Sequence, residues 1–430
     1  MNNWKTTFKD LRNFLILWST QAFSTLGSSM TNFALVIWSY QQSGSAMSTA
    51  LLSVCSYAPY VVMSIFAGAL SDKWNKKITM MVSDSFAALC TVIVLVLLQT
   101  RNLQLWHLYC LNAVNGLMNT IQQPASDVAV SLVAPKKHYQ KVSGLRSFSY
   151  SLNNFLTPAA AAALLAFAGI RGVILFDLVT FSVAFLSLAF LIKIPKVEKS
   201  DQEQETVLKA AGQGLKYLKD NRGIFYLILF LAAINLIASM YEAALPALML
   251  SRENGGEQAM GMFRTVEGLA MIGGSIAVSL WPAPKSRVRV ICNTLLLSMS
   301  TENFFLAFGR TMPVWCTGAV LGWGVIPIMN ANMDVLFRSY IPIEMQGRVY
   351  AARNTFQFFT IPIGYFLGGV MIDYILNPFM RRQLPDSIWV TVFGADTGAA
   401  AAILLMILGG IGLVTCLIFR RNREIWKLEQ

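Results

Sequence analysis

The stretch NFLILWSTQAFSTLGSSMTNFALVIWSYQQSGSAMSTALLSVCSYAPYVVMSIFAGALS, Asn13–Ser71, holds 59 residues without a charged side chain, bracketed by Arg12 and Asp72. A bilayer core takes about 20 apolar residues per helix. The run therefore reads as two membrane crossings joined at Gln41-Gln42-Ser43-Gly44. The texture continues outward. Of 430 residues, 55% are hydrophobic and only 13% charged, against roughly 25% charge in a soluble domain. Mean hydropathy is +0.53. The expectation is an all-α polytopic membrane protein of twelve helices. They fall near 14–40, 46–70, 78–99, 105–127, 143–168, 172–192, 223–249, 260–282, 288–308, 313–336, 349–373 and 398–419. Between Lys193 and Arg222, 12 of 30 residues are charged. This solvated linker (193–222) separates an N-terminal bundle (1–192) from a C-terminal one (223–430), two pseudo-symmetric sets of six helices.

Positive charge orients the chain, because Lys and Arg accumulate on the cytoplasmic side. With both termini inside, only seven of the 34 Lys/Arg (Arg101, Arg171, Arg252, Arg264, Arg310, Arg381, Arg382) fall on the outer side. The bias also accounts for a net charge of +12 without a nucleic-acid partner. The basic N-terminus runs into a full crossing with no small-residue cleavage site, so no cleavable signal peptide is expected. Six cysteines in apolar runs, without paired spacing, read as small buried hydrophobes rather than disulfides or metal ligands.

The halves repeat. Asp127, Pro135 and Arg146 recur as Asp334, Pro342 and Arg353, each shifted by 207 residues. Parallel six-helix repeats are an established transporter plan. The first inner loop reads Gly68-Ala69-Leu70-Ser71-Asp72-Lys73-Trp74-Asn75-Lys76-Lys77. It resembles the signature loop between helices 2 and 3 of the major facilitator superfamily. Gly68, Leu70, Asp72, Lys73, Lys76 and Lys77 fit, whereas Asn75 stands where the family has Gly and would have to support a left-handed turn. The loop has two readings. It can be a charged latch, with Asp72 at a helix end and the lysines reaching Asp127. Alternatively, the lysines only enforce topology.

Gln123-Pro124-Ala125, Leu132-Val133-Ala134-Pro135, Val142-Ser143-Gly144-Leu145, the linker segment Gly214–Leu218, and Ile341-Pro342 with Gly347-Arg348-Val349 are similar to the macrolide-efflux branch of the drug:proton antiporters. Siderophore exporters share much of the pattern. Thr157-Pro158-Ala159-Ala160 departs from the antiporter Gly-Pro motif. What the resemblance implies is a secondary transporter with two halves that alternate access to a cargo site, a functional monomer in the cell membrane. It would need no cofactor, drawing on the proton gradient.

Polar rows on one helix face add an argument independent of family. Gln21, Thr25, Ser28 and Asn32 step by four, three and four. Asn112, Asn115, Asn119 and Gln122 form a second row, and Asn235, Ser239 and Glu242 a third. Polar groups do not face lipid cheaply, so these rows line a cavity or glue helices together. Glu242, Glu267 and Asp177, with Glu302, are carboxylates at membrane depth and candidates for carrying a proton or meeting a cationic cargo. Arg264 at i−3 from Glu267 argues for pairing instead. Asp84 is assigned to the inner latch network. Trp18, Trp38, Tyr57, Tyr60, Trp315 and Trp323 could form an apolar surface for drug-like ligands or anchor at the interface; the interface is the default for Trp38 and Tyr40, and ligand contact stays open for Trp18 and Tyr57.

The remaining classes fit poorly. With two histidines and no reactive cluster, an intramembrane enzyme is disfavoured, and no phosphate-binding Gly-rich loop supports ATP-driven transport. A symmetric pore does not suit two six-helix halves.

Overall fold

The computed structural model describes residues 2–135, 138–195, 216–280, 282 and 284–429. Side chains are described outside 2–9, 64–73, 139–141, 143, 144, 147, 338, 343–348, 350–352 and 354. Every regular element among the described residues is helical, as membrane depth demands, since only a helix satisfies its own backbone polar groups within one segment.

The first half contains α1 (Asn2–Ser43), α2 (Ala46–Lys73), α3 (Lys76–Gln99), α4 (Leu105–Val133) and α5 (Tyr139–Leu186), the last extended by a π-helical turn, Ser187–Leu191. The second half contains α6 (Arg222–Ser251), α7 (Glu257–Leu280), α8 (Arg287–Phe308), α9 (Met312–Trp323), α10 (Ile326–Tyr340) and α11 (Ile343–Val370), extended by a π-helical stretch, Met371–Leu376. Two short helices follow, α12 (Asn377–Arg381) and α13 (Ile388–Phe393), and then α14 (Ala399–Arg420) and α15 (Arg423–Trp426). Most of the linker (196–215) lies outside the described residues.

Nine segments among the described residues are long and apolar enough to cross a bilayer. The sequence expectation was twelve, and the difference has identifiable causes. Phe148–Leu191 counts once, but its 44 residues span about 66 Å at 1.5 Å each, twice the roughly 30 Å of hydrocarbon. Gly169 interrupts it at φ 64°, ψ −174°, a backbone state that glycine adopts without steric cost. In α1 and α4 the polar rows dilute the apolar signal, and neither is among the nine.

The chain divides into two compact units, Met1–Leu35 with Cys55–Gln204, and Val36–Val54 with Glu205–Gln430. Val36–Val54, the end of α1 and start of α2, thus belongs with the second unit, not with the bundle its sequence position suggests.

In the first unit, Leu17, Met80, Ala125, Ala129, Leu188 and Ile192 pack into one apolar cluster and Leu26, Met30, Ala34, Ala161 and Val173 into another. Gly116 sets the contact of α4 with α2, since a Cβ there would lie 2.0 Å from the Ser56 carbonyl oxygen.

In the second unit α6 is the central helix. Its C-terminal part is buried from Ala243 to Met249, and Phe230 stacks on Phe419 of α14 at 4.8 Å. Gly364 and Gly368 bring α11 against α6, and a Cβ on Gly368 would stand 2.9 Å from that of Ala243. Small residues spaced by four are how membrane helices approach closely when lipid removes any hydrophobic drive to associate. All six cysteines are free; Cys90, Cys292 and Cys416 are buried, whereas Cys110 is exposed on α4.

Candidate functional site

At the loop between α2 and α3, Asn75 has φ −66°, ψ 117° and caps α3, its Oδ1 accepting from the Ile78 amide at 3.3 Å. The left-handed turn expected of Asn75 is therefore replaced by an N-cap, the role its short amide side chain suits best. Lys77 is occupied elsewhere than expected. Its Nζ donates to the carbonyls of Ala189 (2.8 Å) and Ile192 (2.9 Å), where the π-turn leaves acceptors free at the end of a helix. It does not hold Asp127. Asp127 on α4 instead pairs with Arg146 on α5, both about half exposed. At the positions shifted by 207, Asp334 is exposed on α10 and the Arg353 guanidinium lies 5.2 Å over the Phe337 ring. Lys76 is buried. The side chains of Gly68, Asp72 and Lys73 lie outside the described residues.

The first unit encloses a cavity of about 330 Å³. Gln21, Thr25, Ser28 and Asn32 from α1 line it with Asn112, Asn115, Asn119 and Gln122 from α4. All eight residues of the two first-half rows thus face one space. Two carboxylates join them, and among the described residues no Lys, Arg or His does. Asp84 of α3 accepts from the amide nitrogens of Gln122 and, at 3.4 Å, of Gln21. Asp177 of α5 accepts from the Ser28 hydroxyl at 2.9 Å. Asp84, assigned by sequence to the inner latch network, lines this cavity. It is the only acid in α3, a signal that an apolar helix was placing a carboxylate somewhere specific. Asn115 Oδ1 is buried without a hydrogen-bond partner among the described residues.

The second unit treats its polar groups differently. Ser239 returns its hydroxyl to the Asn235 carbonyl at 2.7 Å and packs beside Gly364 of α11. Its hydroxyl serves its own helix and its Cβ the contact with α11, while Asn235 and Glu242 remain partly exposed. Glu242 is held by Arg264 in a two-pronged contact, Nη1–Oε1 at 3.0 Å and Nη2–Oε2. Arg264 Nη1 also reaches Glu267 Oε2 at 3.0 Å. Tyr241 Oη lies 2.9 Å from Glu267 Oε1 and 2.5 Å from Glu302 Oε1, and Trp323 Nε1 donates to the same Glu302 oxygen at 2.7 Å. Tyr241, Glu267 and Glu302 are each 5% exposed. A Cβ on Gly322 would sit 2.3 Å from Glu302 Oε2, so the site requires that glycine.

Glu242, a candidate proton or cargo carboxylate by sequence, is paired with Arg264. Tyr241 went unrecognised because an aromatic on an apolar helix carries no polar periodicity. Trp323 belongs to this cluster. Trp315 is core, donating to the Gly309 carbonyl at 3.0 Å, and Trp18 donates to the Leu145 carbonyl at 2.9 Å.

With helices, repeat and polar cavity in place, comparison with known proteins is decisive for the family. The family model of the Major Facilitator Superfamily matches residues 17–365. The chain belongs to that superfamily. As a superfamily member it is a multi-pass membrane transporter and not an enzyme. It is 22% identical to macrolide efflux protein A of Streptococcus pyogenes over 378 residues, covering 87% of this chain and 91% of that protein. It is 23% identical to a staphyloferrin A transporter of Staphylococcus aureus, over 80% of this chain and 81% of the other. The fold is also that of a bacterial homologue of the iron transporter ferroportin in its inward-facing state (TM-score 0.68, 18% identity, 96% of this chain and 99% of that one).

Proposed function

We propose that this superfamily member exports amphiphilic small molecules of macrolide-like character by proton-coupled alternating access. It would act as a monomer in the cell membrane with both termini in the cytoplasm. The orientation rests on the Lys/Arg bias, and the cargo class on the likeness to macrolide efflux protein A. The observation that carries the reading is the first-unit cavity: amide and hydroxyl groups around two carboxylates, with no cation in the lining. Such a lining attracts a basic or dipolar group and repels an anion, because charge interactions strengthen where water is excluded.

Export of a siderophore or other secreted metabolite is the second reading, supported by the likeness to the staphyloferrin A transporter. A polyanionic chelator would meet two carboxylates in this cavity, which favours the first reading.

The test is a susceptibility panel in an efflux-deficient host with and without the chain. Higher tolerance to amine-bearing macrolides, removed by dissipating the proton gradient, supports the proposal. Unchanged tolerance across the panel, with secretion of a metal chelator, overturns it.

A further inference from the structure

The second-unit cluster contains more acceptors than its donors can serve. Tyr241 Oη carries one proton and stands within hydrogen-bond distance of two carboxyl oxygens, Glu267 Oε1 and Glu302 Oε1. If both were carboxylates, one contact would set lone pair against lone pair. A carboxyl proton resolves this by donating to Oη while the phenol donates onward. Its position follows from the neighbours. Glu302 Oε1 already accepts from the Trp323 indole, so it is an acceptor on both sides. Glu267 Oε2 accepts from Arg264, which leaves Glu267 Oε1 as the protonated atom.

Charge balance calls for a proton in the cluster without choosing its atom, since Arg264 touches Glu267 and not Glu302, and the hydrogen bonds make that choice. Among the described residues, the charged and titratable groups facing this pair are Tyr241 and Glu242 from α6, Arg264 and Glu267 from α7, and Glu302 from α8. Three carboxylates face one guanidinium, and Glu242 takes its two-pronged contact.

We propose that Glu267 holds a proton on Oε1 and donates it to Tyr241, so that Glu267–Tyr241–Glu302 is the proton-binding site of the transport cycle; this rests on the proton-coupled reading above. On release the Oε1–H bond breaks, the electron pair stays on Glu267, and the proton goes to water. The new carboxylate faces Glu302 across a single hydroxyl proton and competes with Glu242 for Arg264. Proton loss is thereby converted into a change of partner that ties α6 to α7. Tyr241 acts as a positioning residue, fixing which oxygen holds the proton.

The test is infrared spectroscopy on the purified full-length chain, which needs neither cargo nor transport. At neutral pH the wild type should show the carbonyl band of a protonated carboxylic acid, shifted by deuterium exchange. Glu267→Gln should abolish that band, and Tyr241→Phe should move it without removing it. Proton-driven export by Glu267→Gln should fall at least tenfold, while downhill exchange persists. Absence of the band in the wild type, or its survival in Glu267→Gln, overturns the proposal. Loss in Glu302→Gln with survival in Glu267→Gln overturns the assignment to Glu267. The band present in a chain that exports none of the panel would refute the proposed cargo and leave this site standing. Export that stays proton-driven in Glu267→Gln would refute the site alone.

Discussion

The two units place carboxylates at membrane depth in opposite ways. In the first, Asp84 and Asp177 border a cavity and, among the described residues, are met by neutral donors that include Gln21, Gln122 and Ser28. In the second, Glu242, Glu267 and Glu302 are gathered around Arg264, Tyr241 and Trp323 with almost no exposure of the inner pair. A repeat that carries Asp127, Pro135 and Arg146 into Asp334, Pro342 and Arg353 has thus kept its frame and let its interiors diverge. Neutral donors leave a negative potential unspent, available to something that enters. In the second unit a guanidinium offsets part of it.

The largest effect should come from removing the cation of the second cluster. Arg264→Gln leaves buried carboxylates without their counter-charge, and breaking a buried pair from one side costs about 3–5 kcal/mol. Thermal unfolding in detergent should show the loss, and adding Glu242→Gln should restore most of it. An unchanged melting temperature in Arg264→Gln would remove the distinction between the two units.

Next comes the space around Glu302. Gly322→Ala forces a methyl to 2.3 Å from its carboxyl oxygen, and overpacking of this kind costs about 1–3 kcal/mol. Gly410→Ala is the matched control, because nothing lies within 4 Å of a Cβ there. That substitution should be neutral or slightly stabilising, alanine being preferred over glycine in a helix by roughly 0.5–1 kcal/mol. Equal melting temperatures for the two variants would show the cluster to be loosely packed.

These contrasts were legible in the sequence to unequal degrees. The steps Gln21–Thr25–Ser28–Asn32 and Asn112–Asn115–Asn119–Gln122 fix which sides of α1 and α4 are polar, because helical periodicity is local information. That these sides meet one cavity together with Asp84 depends on how α3 packs, which no spacing encodes. Glu267 and Arg264, at i+3 on one helix, were readable as neighbours. Glu242, Tyr241, Glu302 and Trp323 come from three other helices, and their convergence is tertiary. In the third row, likewise, spacing alone could not show that Ser239 packs beside Gly364 of α11. Gly169 is a boundary the sequence did show. Helices expected near 143–168 and 172–192 part at a single residue of positive φ just before Arg171, within a 44-residue apolar segment.

Asp84→Asn sharpens the comparison on the first-unit side. The amide keeps the size of the side chain but removes the negative charge from a lining that contains no cation. Transport of an amine-bearing cargo should drop about tenfold, equivalent to roughly 1.4 kcal/mol, while an uncharged analogue is exported as before. Uptake and export rates for the matched pair of compounds are the measurement. Equal loss for both would make Asp84 a structural residue, and the two units would then differ in geometry only.

The smallest effect on stability is expected at Asp127→Asn. Its partner Arg146 and Asp127 itself are about half exposed, and ion pairs in water are worth roughly 0–1 kcal/mol, so the melting temperature should barely move. Transport is where the pair can matter, because a contact worth little in total can still favour one conformation over another, and a ligand or gate acts only through such differences. If Asp127 and Arg146 hold α4 and α5 together in one state, Asp127→Asn should lower the export rate severalfold at constant stability, and so should Arg146→Gln. The double variant should then be no worse than either single one, since both remove the same interaction. Independent, additive losses would mean that each residue acts with a different partner, and undiminished export in both would leave this ion pair without a part in transport.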